Sequence, residues 1–165
     1  MKSINNINQL NKSDFLSIFG NVFEKTEWIS EEVFELKPYK DFNDLSTKLL
    51  DLYENCNKEK ILIIFNSHPE LAVAKKMTDE SKLEQAGANL NDCSVEEFEE
   101  FKKLNLEYKN KFGFPFIIAV KGKNKTEILN NFRQRILNDI ESEFKEAKKQ
   151  VKKIATFRIN EIINQ

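Results

Sequence analysis

Apolar residues recur every three or four positions along most of this chain, and each such stretch predicts a helix. Ser13 can cap a first turn carrying Phe15, Ile18 and Phe19, with Gly20 ending it. Trp28 precedes a second helical run, Ser30 to Leu36, which must stop by Lys37 because Pro38 disfavours a helical residue before it. From Asp41 onward, Leu45, Leu49, Leu52 and Tyr53 give a third helix. Ser94 and Glu97 form a capping box, and Val95, Phe98, Phe101, Leu104, Tyr108 and Phe112 then repeat as one long amphipathic helix up to Gly113. Asn124 can cap the next helix, with Ile128, Leu129, Phe132 and Ile136 facing inward and Arg135 bordering that face. The last helix carries its apolar stripe on Ile140, Phe144, Ala147, Val151, Ile154 and Ile162.

Two runs escape this reading. Ile61 to Phe65 and Phe116 to Val120 are short and apolar, so each is compatible with a buried strand or a buried helix. Two isolated strands would make a poor sheet, which favours an all-α fold with an extended piece near Pro115. The expectation is a compact single-domain helical bundle of about eight or nine helices, spanning residues 1–165.

Composition narrows the functions. A chain of 165 residues with 40% hydrophobic and 32% charged residues can bury a core without disulfides or metals. The formal net charge of -1 gives no basic surplus for nucleic acid or an anionic membrane. No segment approaches the apolar length of a membrane span. The opening MKSINNINQL lacks a signal-peptide core and IINQ is not a peroxisomal address, so a cytosolic location is expected. Cys56 and Cys93 are far apart and not in metal-ligand spacing, and with one histidine a zinc site has too few ligands, so no metal is expected.

Candidate chemistry concentrates between Phe65 and Gly87. His68 is the only histidine, and its side chain is the one that gains and loses a proton near neutrality. Ser81, Glu84 and Gln85 stand at i, i+3 and i+4, so on a helix they share one face. The same spacing is also that of a capping box, and Pro69 could simply start a helix. Lysine is the default cation here, and only Arg133, Arg135 and Arg158 are arginines. Arg158 falls in the apolar stripe of the last helix, where a cation needs an anionic or hydrogen-bonding partner. The readings are a structural salt bridge, a side chain that snorkels out at the helix end, or a ligand-binding arginine.

The HPELA segment, ESKLEQAGANL, the KFGFPFIIAVKGK block followed by EILNNFRQRI, and the closing helix ending in IATFRINEI resemble, in order and spacing, the decarboxylases of 2-oxo-4-hydroxy-4-carboxy-5-ureidoimidazoline (OHCU). The opening NQLNKSDFLSIFGNVFEKTEWISEEVF is similar to that family too, so the likeness covers nearly the whole chain. It implies an all-α fold, usually a homodimer, and formation of (S)-allantoin from OHCU in the last step of urate oxidation, without cofactor or metal. It implies that His68 is catalytic, with Glu84 acting beside it, and that Pro69, Ser81, Gln85, Arg158 and the backbone of Phe116, Ile117, Ile118 and Ala119 bind substrate. Lys37-Pro38 stands where the family often has Arg-Pro. The alternative is a helical binding module that kept the pocket without turnover; the complete set of His, Ser, Glu, Gln and Arg argues against it.

Overall fold

The computed structural model describes residues 3–72 and 78–165. Among these residues there are nine helices and no strand, in keeping with the all-α expectation. In chain order they are α1 (Ile4–Gln9), α2 (Lys12–Phe19), α3 (Glu27–Phe34), α4 (Phe42–Glu54), α5 (Lys58–Ser67), α6 (Asp79–Gly87), α7 (Val95–Phe112), α8 (Lys125–Arg135) and α9 (Ile140–Ile163). The chain divides into two compact units, Met1–Ser67 together with Lys152–Gln165, and His68–Val151. Helix α9 therefore contributes residues to both.

In the first unit, polar caps set the helix starts. Asn11, not Ser13, caps α2, its side-chain oxygen accepting from the Asp14 N–H at 2.9 Å. Asn is a strong N-cap, and it places Ser13 inside the first turn. Helix α3 begins at Glu27, so Trp28 lies within it, and it ends at Phe34, ahead of a cis Lys37-Pro38 bond. Asp41 caps α4, accepting from the Asp44 N–H at 2.7 Å. The Ile61–Phe65 run is helical: Ile61, Ile64 and Phe65 are buried at i, i+3 and i+4 while Ile63 is exposed, a period of 3.6 rather than 2. The core is aromatic, with Phe15 against Phe19 and Phe34 at 4.9 and 5.5 Å and Phe23 stacked on Tyr53 at 5.0 Å. The Ser30 hydroxyl donates to the Phe19 carbonyl at 2.7 Å and so ties α3 to the end of α2.

In the second unit, the capping boxes of Ser94 with Glu97 and of Asn124 with Glu127 are both complete. Gly113 ends α7 at φ 79°, a left-handed conformation that a Cβ would penalise. Residues 115–120 then run without regular secondary structure, where the sequence places its non-helical segment. They are fully buried: Phe116 stacks on Phe132 with centroids 3.9 Å apart, and Tyr108 meets both rings edge-on.

Helix α9 buries the middle of the expected stripe, Ala147, Val151, Ile154 and Arg158, but not its start. Ile140 is exposed and Phe144 half-buried, whereas Glu143, Gln150 and Arg158 are buried alongside Ala147, Val151, Ile154, Ala155 and Ile159. Glu143 and Gln150, long polar side chains with buried partners, join the inward face, which apolar periodicity cannot register.

Candidate functional site

Pro69 cannot follow a helical residue comfortably, and α5 accordingly stops at Ser67 with His68 just beyond it. Pro69 is thus a stop for α5 rather than the start of a helix; among the described residues the next helix begins at Asp79. The His68 side chain is buried. Four residues on, Ala72 adopts φ 54°, left-handed backbone that is unfavourable for a residue with a Cβ.

Thr78, not Ser81, caps α6, its side-chain oxygen accepting from the Ser81 N–H at 3.3 Å. Ser81 is thereby released from capping and, with Gln85, is buried, while Glu84 on the same helix is half-buried. The Gln85 carboxamide reaches the main chain after His68: its oxygen accepts from the Ala72 N–H at 3.2 Å and its nitrogen donates to the Glu70 carbonyl at 3.3 Å. The structure thus brings α6 and the His68–Ala72 stretch together through one side chain. A cleft of about 550 Å³ opens beside Ala72 and Gln85, walled by Ala86, Leu90, Val95 and Phe98, with Lys82 as a cation at its edge.

The Phe116–Ala119 backbone is held from two helices. Arg135 of α8 donates from Nη1 to the Ile117 carbonyl at 2.7 Å and lies over the Phe116 ring at 4.3 Å. The same guanidinium bonds Glu143 of α9 through Nε at 2.9 Å and Nη2 at 2.5 Å, and the Tyr108 hydroxyl donates to the same carboxylate at 2.5 Å. Burial, and then the hydrogen bond to Glu143, push the Tyr108 phenol well above its usual range, so it stays protonated as a donor. Gln150 accepts from the Ala119 N–H at 3.0 Å.

Arg158 belongs to the other compact unit. Its guanidinium is buried, with Nη2 on the Glu24 carboxylate at 2.9 Å and Nη1 donating to the Asn21 carbonyl at 3.0 Å. The anionic partner demanded by its place in the stripe is therefore Glu24, itself buried.

The sequence did not single out Asn105, Glu143 and Gln150, all buried and all bonded to the elements that carry the candidate residues. Each lies among apolar positions on its helix, for instance Asn105 four residues after Phe101, and that placement was the available signal. Among the described residues no group of three or more His, Cys, Asp or Glu could hold a metal ion, and no helix is long and apolar enough to cross a membrane.

The sequence model of OHCU decarboxylase matches residues 8–160. The "Uric acid degradation bifunctional protein" of Bacillus sp. (strain TB-90) is 37% identical over all of this chain, which spans about a third (33%) of that relative's length. The "2-oxo-4-hydroxy-4-carboxy-5-ureidoimidazoline decarboxylase" of Haloferax volcanii is 32% identical over 96% of this chain and 95% of its own. Among solved structures, one described as (S)-allantoin synthase superposes with a TM-score of 0.78 at 22% identity, covering 98% of this chain and 54% of that one, which establishes a shared fold.

Proposed function

The chain belongs to the OHCU decarboxylase family, and from that membership we propose that it converts OHCU to (S)-allantoin by decarboxylation, without metal or organic cofactor, as a cytosolic homodimer. The observation that carries the reading is a family match over residues 8–160, a span that includes His68, the Ser81, Glu84 and Gln85 helix, the Phe116–Ala119 segment and Arg158.

The chemistry needs few groups. When the bond to the carboxylate breaks, its electron pair is left on a ring carbon, and the substrate's own ring carbonyl and nitrogen take up that charge in a polar, water-poor setting. In this reading His68 handles one proton, from the substrate hydroxyl or onto the new carbanion, as general acid or base. Glu84 and Gln85 hold ureido or ring N–H groups, Gln85 from a side chain already fixed by the main chain of Glu70 and Ala72. Protonation on one fixed face of the ring gives one enantiomer.

The test is to generate OHCU from urate with uricase and hydroxyisourate hydrolase, and to follow the optical activity of the allantoin formed. The expected result is acceleration over spontaneous decay and a single enantiomer; no acceleration would instead favour a binding module. His68→Asn is expected to lower turnover about 10²–10⁴-fold with the fold intact. Arg158→Lys keeps a cation opposite Glu24 but loses the planar fork, so turnover falls strongly while melting changes little. A melting drop with activity per folded molecule retained would leave Arg158 a structural role only.

A further inference from the structure

His68 sits on a stretch that cannot hold its own shape. Helix α5 ends one residue before it, Pro69 brings no N–H, and Ala72 is in the left-handed region, a conformation that persists in a non-glycine residue only where the surroundings impose it. What imposes it is a pair of buried carboxamides from two different helices. Gln85 of α6 grips the chain at Glu70 and Ala72, and Asn105 of α7 donates from Nδ2 to the Leu71 carbonyl, between them, at 3.0 Å. Three consecutive residues, beginning two after the histidine, are thus pinned.

Asn105 carries a second oddity. It is only 4% exposed, and its side-chain oxygen has no hydrogen-bond partner among the described residues. A leucine, which has the same branched heavy-atom skeleton, would bring no buried, unsatisfied acceptor of its own, so the amide's acceptor does not account for its presence here. Its donor does: it is the group that fixes Leu71.

We propose that Asn105 is a positioning residue of the reaction, which together with Gln85 sets the turn from which His68 acts. The proposal rests on the reading of His68 as the proton-handling group. Asn105 need not touch substrate. Its loss would let the turn relax and move the imidazole, and a displacement of the order of 1 Å in a reacting group costs about 10²-fold in rate.

The experiment compares untagged wild type with Asn105→Leu, Asn105→Ala and His68→Asn at a temperature where circular dichroism shows every variant folded. Asn105→Leu is expected to melt only modestly lower than wild type, because it leaves the Leu71 carbonyl without its donor, yet to lose about 10–100-fold in kcat with KM within about threefold. A readout beyond rate is available, because the chain has one histidine and its imidazole C–H protons give a single set of NMR signals. Those signals should shift or broaden in both Asn105 variants. Wild-type kcat in Asn105→Leu, or lost kcat with His68 signals unchanged, overturns the proposal. If His68→Asn also retains full turnover, the fault lies in the reading of His68; if His68→Asn is inactive while Asn105→Leu is not, only the role given to Asn105 fails.

Discussion

Residues 68–72 and 114–120 both belong to the second unit, both run outside helices, and both are tied down by side chains from α6 to α9, but by different chemistry. The 114–120 segment is packed in an aromatic cluster and pinned by a guanidinium whose counter-charge, Glu143, is fully buried and shared with Tyr108. The 68–72 stretch is held by neutral carboxamides at 3.0 to 3.3 Å. Breaking a charged cluster leaves an ion stranded in the interior, so the fold itself depends on it. Breaking a neutral pin costs the fold far less. Damage to the first should therefore be read in melting, and damage to the second in turnover.

That contrast can be broken or sharpened by three substitutions. Arg135→Ala strands Glu143 and releases Ile117, and is expected to cost about 3–5 kcal/mol by urea denaturation; a loss below about 1 kcal/mol would remove the distinction between the two segments. Gln150→Leu removes the neutral acceptor of the Ala119 N–H in the same segment, with an expected cost of about 1–3 kcal/mol. If it cost as much as Arg135→Ala, burial rather than charge would set the difference. The smallest effect belongs to Arg133→Ala. Arg133 grips Glu100 through Nε and Nη2 at 2.6 and 2.7 Å, a geometry as good as that of Arg135, but the guanidinium is half exposed. Solvent screening should limit the loss to about 0.2–1 kcal/mol, smaller still in high salt.

Much of the helical framework is legible in the sequence because its signals are local. The Ser94 box, the Asn124 cap and Gly113 each act within four residues, and all stand where the spacing puts them. The α2 and α6 starts were displaced because two candidate caps compete in each, and Asn11 and Thr78 win over Ser13 and Ser81. Ile61–Phe65 needed burial to settle, since five apolar residues are too few to show a period. Site residues were legible as residue types and much less as contacts. The presence of Gln85 on the face of Ser81 follows from spacing, but its engagement with Glu70 and Ala72 requires a chain reversal that no local pattern encodes. Asn105 and Gln150 were missed for a related reason, as their partners on Leu71 and Ala119 lie 34 and 31 residues away, and Glu143 joins Arg135, eight residues off, to Tyr108, 35 residues off.

The Glu24–Arg158 pair has a consequence for synthesis. The two residues are 134 apart in sequence, yet both are sealed inside the same unit, whose first 67 residues leave the ribosome long before its last helical stretch. At about 5–20 residues per second, the wait from Glu24 to Arg158 is on the order of ten seconds. Throughout that interval the Arg158 guanidinium is not there to meet the carboxylate, so the buried ion pair cannot yet form. The first unit's core can therefore be completed only after the whole of the second has been made, because its last members are residues of the final helix.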